Sequence, residues 1–235
     1  MTVFLHNEFF FIALTLGVFL GAQKLQRRLG LIVFNPILMS IAFIILILHV
    51  AKISYSAYEE GGRYIAFMLK PAIVALGVPL YQQMEQIKKQ AIPIFVSMFA
   101  ASIVGIVSAV LIAYALGASP EVFVSISPKS ATTPIAMEVS QVLGGIPALT
   151  AVIVILTGIF GAVFGFGFLR LIRVRSCMAQ GLAMGAAAHA VGTAQAMQKS
   201  PRLAAYSGLG LILNGTLTGL LAPLLVPVLT RFLSL

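Results

Sequence analysis

From Ala91 to Leu116 the chain carries no charged residue. A run of that length exceeds the roughly 20 apolar residues that take a helix across a hydrocarbon core of about 30 Å. The pattern recurs. Phe9–Ala22, extending back toward Val3, is a second such run, and Leu31–Val50 is a third, with Asn35-Pro36 at its start. Ile65–Tyr81 is interrupted at Lys70-Pro71 and again at Gly77-Val78-Pro79. Ile146–Leu169 and Leu203–Thr230 complete the set, the latter with Asn214-Gly215 near its middle. With 60% hydrophobic and 9% charged residues, against roughly 25% charged in soluble domains, the chain cannot meet water on all sides. A soluble enzyme and a disordered chain are both excluded. The net charge of +9 does not point to nucleic acid, because the Lys and Arg occupy short gaps between apolar runs and form no basic face on a soluble scaffold. The single cysteine, Cys177, forms no internal bridge, and the segment 1–7 lacks the basic residues and cleavage site of a signal peptide.

Two further segments are too polar and too broken to face lipid. Residues 121–145 hold Lys129, Glu138, Pro128, Pro134 and several hydroxyls; residues 179–198 are a Gly/Ala run around His189. Irregular backbone at membrane depth persists only inside protein or beside a water-filled cavity. Cytoplasmic loops are enriched in Lys and Arg. Placing Lys24/Arg27/Arg28, Lys88/Lys89, Arg170/Arg173/Arg175 and Lys199/Arg202 inside puts Glu8, Glu59, Glu60, Glu121 and the N-terminus outside. That scheme requires 121–145 to enter from outside and return. It lets 179–198 be a hairpin from the cytoplasm, while a full span there stays open. Half-helices of about 10 to 12 residues rise roughly 15 to 18 Å, half the core, and suit both. The expected fold is therefore an all-α polytopic membrane protein. It has about six spanning helices plus two broken or re-entrant helical hairpins, in one transmembrane domain over residues 1–235. Residues 121–169 and 179–230 share a plan of broken hairpin, link and long helix. The orientation scheme inverts one relative to the other, as in many secondary transporters.

The polar residues in these segments are the site candidates. A lysine at the centre of a lone helix costs about 2.5–3.5 kcal/mol on insertion scales, so Lys129 needs a partner, water or a ligand. With Ser130, Thr132, Thr133 and the backbone donors freed by Pro128 and Pro134, it suits a small carboxylate. The alternative is an ammonium snorkelling to the external face. His189, among Gly185, Ala186, Ala187, Ala188, Gly192 and Thr193, could bind an anion or carry a proton. Equally, it could bond a backbone carbonyl at a tight helix contact. Glu138 has three readings: a partner of Lys129, a proton exchanger, or an external vestibule residue. Lys70 suits a lipid phosphate or another helix. Asn214 beside Thr216 is a better site candidate than Asn35, which reads as a kink device, while His6 and His49 lie at interfaces. No group has metal-ligand spacing, and no nucleotide-binding fingerprint occurs. Neighbouring Lys129 and Ser130 diverge by about 100° on a helix and make a poor catalytic dyad. Neither enzyme nor cofactor is expected.

Several motifs carry a resemblance. Ser119-Pro120-Glu121, followed by Ser127-Pro128-Lys129-Ser130-Ala131-Thr132-Thr133-Pro134-Ile135-Ala136, resembles the signature of LrgB/CidB membrane proteins. So do Gly144-Gly145-Ile146-Pro147, Thr157-Gly158-Ile159, Gly181-Leu182-Ala183-Met184-Gly185 and His189-Ala190-Val191-Gly192-Thr193-Ala194. The run from Lys70 to Tyr81 is similar too, with Lys70 where a smaller residue is expected. The resemblance implies a bacterial inner-membrane protein. Bacterial members were described as antiholin-like regulators of murein hydrolase export and autolysis, acting with a smaller LrgA/CidA partner. A plastid relative in which both modules are fused exports glycolate in exchange for glycerate, and some bacterial members are linked to pyruvate uptake. Because this chain resembles the LrgB module alone, a separate small LrgA/CidA-like partner is implied.

Two readings result. In the first, the chain is a proton-coupled secondary transporter of small monocarboxylates or hydroxycarboxylates, embedded in the bilayer as a homo-oligomer. Lys129, Ser130, Thr132 and Thr133 hold the carboxylate. His189, Thr193 and Asn214 hold its hydroxyl or the proton, with His189 and Glu138 as coupling candidates. In the second, it is a holin/antiholin-type regulator acting through oligomerisation or its small partner.

Overall fold

The computed structural model describes residues 8–29, 36–75, 77–82 and 84–233. The expectations for His6, Asn35 and the extreme N-terminus lie outside these residues. Every described element is a helix, and the chain is an all-helical polytopic membrane protein. It falls into two compact units, residues 1–77 and 78–235.

The first unit contains α1 (Glu8–Leu29), α2 (Pro36–Val50) and α3 (Tyr55–Ala75), with α1 packed against both others. At Gly61 the α3 backbone comes so close to α1 that a Cβ would lie 2.7 Å from the Glu8 carbonyl oxygen. Phe11 fills the contact, edge-on to Tyr58 at 5.8 Å between ring centroids. The Tyr58 hydroxyl meets Thr15 Oγ1 at 3.0 Å. Here the expected third span needs correcting. The helix begins at Tyr55, well before Ile65, and runs through Pro71 without ending; a new element starts only at Gly77. Proline is tolerated within membrane helices where neighbouring groups re-satisfy the freed carbonyl.

The second unit holds α4 (Gly77–Gln82) from its second residue on, α5 (Met84–Lys89), α6 (Ala91–Ala115), α7 (Pro120–Ile126), α8 (Thr133–Val142), α9 (Pro147–Leu171), α10 (Cys177–Lys199) and α11 (Pro201–Phe232). The helix ends follow local chemistry. Proline occupies the first turn of α7, α8, α9 and α11, where its missing N–H costs nothing. Ser176 and Ser200 cap α10 and α11 by accepting from the N–H of Ala179 and Leu203. Gly117 and Gly144, at φ +76° and +81°, end α6 and α8 in left-handed turns. Among the described residues the six expected apolar runs fall on helices, the one from Ile65 to Tyr81 divided between α3 and α4. Among the described residues four helices, α1, α6, α9 and α11, are long and apolar enough to cross a membrane, and α2 has a shorter apolar stretch, Leu38–Val50.

The packing fixes directions within this unit. Lys88 and Lys89 precede α6, so its first residue lies at a basic end and Ala115 at the opposite end. At that opposite end Ala113, Phe123, Val139 and Val226 share one apolar cluster. Both halves of the segment 121–145, and the far part of α11, therefore meet there. Ser125 Oγ accepts the Ile146 N–H at 2.7 Å, and Thr150 Oγ1 lies 3.0 Å from the Ser125 carbonyl and 2.8 Å from Ser140 Oγ. The chain thus goes in along α7 and returns along α8 to where it entered, as the charge scheme requires.

The segment 179–198 also folds back, which decides the choice left open above. α10 breaks at His189, with φ +39° and ψ −130°. A Cβ on Gly192 would lie 2.5 Å from the Met184 carbonyl oxygen, an approach impossible along a straight helix, where eight residues span about 12 Å. Ser207 lies beside Gly181 and Gly185 of the first arm and bonds Thr193 of the second. Lys199 returns to Phe166 near the end of α9, at the basic end. The two hairpins therefore enter from opposite ends, and the long helices that follow them, α9 and α11, run in opposite directions.

Candidate functional site

Both hairpin tips reach the middle of the second unit. Between Ser127 and Thr132 the chain leaves the helix, with Pro128 fully buried and Ser127 Oγ donating to the Val124 carbonyl at 2.8 Å. This turn places Ser130 beside Gly105, halfway along α6. Asn214, 1% exposed at the middle of α11, ties the tips together. Its Nδ2 donates to the carbonyls of Ser130 and Ala186, both at 3.0 Å, and its Oδ1 accepts from Ser102 Oγ of α6 at 2.8 Å. Ser130 and Ala186 are places where interrupted helices leave carbonyls free, and one amide serves both.

Beside this junction lies a cleft of about 470 Å³ between α6, the first tip, the first arm of α10 and α11. It extends from Ser97 and Ala179, near the basic end, to Lys129, Ser130 and Asn214 at mid-depth. Its walls are otherwise apolar: Met98, Ala101, Val104, Leu182, Ala183 and Ala186. Lys129 is the single charged residue among those lining it, and no carboxylate is present. Its Nζ donates to Ser130 Oγ over a long 3.4 Å. An ammonium has three hydrogens to give, so the chemistry left over is a directed positive charge in an apolar slot. Beyond Gly105 the way is filled by Ile106, Val110, Phe123, Val124, Val139 and Val226.

The remaining candidates lie elsewhere. His189 is 3% exposed, and its Nε2 donates to the Val154 carbonyl of α9 at 2.9 Å. The ring enters over Gly158, where any Cβ would collide with it. That is the carbonyl-bonded arrangement, and His189 does not line the cleft. Thr193 donates to the His189 carbonyl at 2.9 Å and meets Ser207 Oγ at the same distance, pinning the second arm to α11. Thr132 and Thr133 start α8, half-buried and outside the cleft lining, and Glu138 is exposed on α8. Among the described residues no cluster of His, Cys, Asp and Glu could hold a metal ion. Ser102 was not singled out from the sequence; it sits in an apolar run with Ser97 and Ser108 that gives no reason to prefer one.

Asn214→Ala leaves two carbonyls and the Ser102 hydroxyl without their partner. The expected loss is about 2 kcal/mol or more, at roughly 1–3 kcal/mol per buried unpaired group. A thermal unfolding midpoint in detergent that stays at the wild-type value would contradict the tie.

Opposed re-entrant hairpins with a cation at their crossing define a polytopic helical membrane protein of the kind that places polar groups at mid-depth. The chain belongs to the LrgB-like family, whose profile matches residues 15–228. It is 39% identical to an uncharacterized protein of Haemophilus influenzae, over 89% of this chain and 91% of that one. It is 36% identical to the uncharacterized protein YxaC of Bacillus subtilis, over 92% and 94%. It is also 35% identical to the holin-like protein CidB of Staphylococcus aureus, again over 92% and 94%. No solved structure matches.

Proposed function

We propose that the chain is a secondary transporter of small monocarboxylates or hydroxycarboxylates. One observation carries this reading: Lys129 is a lone cation at the inner end of a cleft where the tips of two opposed hairpins meet. One charge in an apolar slot suits a ligand with one carboxylate and a short tail. A second carboxylate would be left against Met98 and Leu182. In this reading Ser130 shares the carboxylate with Lys129, and Asn214 holds the two tips in place. The antiparallel α9 and α11 supply the two halves that rock about the site. The basic end is cytoplasmic by the charge rule, which places the N-terminus outside. No catalytic step and no cofactor belong to this reading.

The test is uptake of labelled glycolate, lactate and pyruvate into proteoliposomes, with and without an imposed pH gradient. Saturable uptake of at least one is expected, and a gradient-dependent rate marks proton coupling. Absence of uptake of all three, with or without a small LrgA-like partner, would sink the transport reading.

The relatives named holin-like protein CidB favour a second reading, a holin-like regulator working through self-association or a small membrane partner. It predicts that association, and no uptake, responds to substitutions on lipid-exposed helix faces. The Lys129 cleft would then be dispensable.

A further inference from the structure

A second cavity, of about 390 Å³, lies at the basic end and is lined by Arg170, Arg173, Arg175, Lys199, Gln180 and Phe166 among others. Loops at such an end are expected to be basic, so the presence of cations needs no further explanation. Their convergence does. Arg170 is in the last turn of α9, Arg173 and Arg175 lie in the link before α10, and Lys199 ends α10. The four charges thus come from both ends of the second hairpin and surround one space with no carboxylate in its lining.

The backbone builds this arrangement. Arg173 adopts φ +61°, a left-handed turn uncommon outside glycine, which swings the link back over the end of α9. Gln180 Nε2 donates to the Val174 carbonyl at 2.7 Å and fastens the link to the first arm. Lys199 Nζ stands 4.7 Å from the centroid of the Phe166 ring, held by a cation–π contact. Left alone, these charges repel one another across the cavity.

We propose that this cavity holds the phosphate group of an anionic phospholipid, which clasps both ends of the second hairpin. Guanidinium forks match phosphate oxygens in pairs. Basic pockets between membrane helices at this depth take lipid headgroups. Lipid is favoured over a free anion because Arg170 sits in the last turn of α9, a helix long and apolar enough to cross a membrane, which sets the cavity at the level of the headgroups.

The experiment is the thermal midpoint of the full chain in neutral detergent, with added phosphatidylglycerol, phosphatidylcholine or inorganic phosphate. Phosphatidylglycerol should raise the midpoint by several degrees more than phosphatidylcholine. The increment should largely vanish in Arg173→Gln/Arg175→Gln and partly survive in Arg173→Lys/Arg175→Lys, each read against its own lipid-free value. Equal increments from the two lipids, or an undiminished increment in the Gln variant, overturn the site. An equal increment from millimolar phosphate overturns the lipid assignment in favour of a free anion. Should a variant fail to fold, the wild-type comparison of the two lipids still decides. None of these readouts involves uptake, so the result is independent of the Lys129 cleft.

Discussion

Replacing Lys129 with Gln should cut anion uptake at low substrate concentration by about 10-fold to 100-fold while leaving the protein as stable as before, or more so. The two effects separate because they have different origins. A lone ammonium at membrane depth costs about 2.5–3.5 kcal/mol on insertion scales, and no carboxylate in the cleft offsets it. Removing the charge relieves that cost. The ligand, in contrast, loses its only ionic partner in an apolar slot, where a charge-assisted hydrogen bond is worth roughly 1.5–3 kcal/mol, about 10-fold to 100-fold in affinity. Lys129→Arg keeps the charge but swaps a compact ammonium for a planar fork, so partial activity is expected. Uptake and unfolding midpoint measured on the same preparations check both halves. Full uptake by Lys129→Gln would reject the cleft as the site.

The largest effect on folding should come from Gly185→Ala. A Cβ there would run into the Ser207 carbonyl oxygen and lie 2.7 Å from the Leu211 nitrogen. Both are backbone atoms of α11, in the middle of a 32-residue helix, and neither can rotate away. The first arm of α10 must therefore lift off α11, opening the contact that also seats Tyr206 and Leu182. A loss of about 3 kcal/mol or more is expected, the upper range for overpacking. Gly208→Ala is the control. Gly208 is also buried, but a Cβ there meets nothing within 4 Å, and alanine gains up to about 1 kcal/mol of helix propensity. Yield of monodisperse protein and its unfolding midpoint should fall for the first and hold or rise for the second. Equal behaviour would mean that the arm does not lie where it is described.

The long helices were legible because length and apolarity alone specify them. The first hairpin was legible too: Pro128, Lys129 and Pro134 cannot continue a lipid-facing helix, and Glu121 with the later arginines pointed to entry from the end opposite the basic links. The second hairpin was visible only as a weak Gly/Ala segment. Its turn falls on His189 at φ +39° and ψ −130°, a combination that glycine enters far more readily, and no propensity rule would select it over the neighbouring glycines. The junction was harder still. Asn214 was singled out as an amide needing a partner, but its partners lie 112, 84 and 28 residues away. Hydroxyl-rich sequence around Lys129 likewise does not say which hydroxyls face the cleft; Ser130 does, whereas Thr132 and Thr133 begin the returning helix. Side-chain direction at a break depends on backbone angles that sequence pattern does not encode.

The apolar cluster beyond Gly105 has a consequence for electrical behaviour. Val110 and Phe123 are 0% exposed and Val226 is 1% exposed, so among the described residues of the second unit no water column continues from the cleft past this layer. In this conformation ions should not leak along the cleft. Permeation by this route would require a conformation where the Phe123 layer has parted.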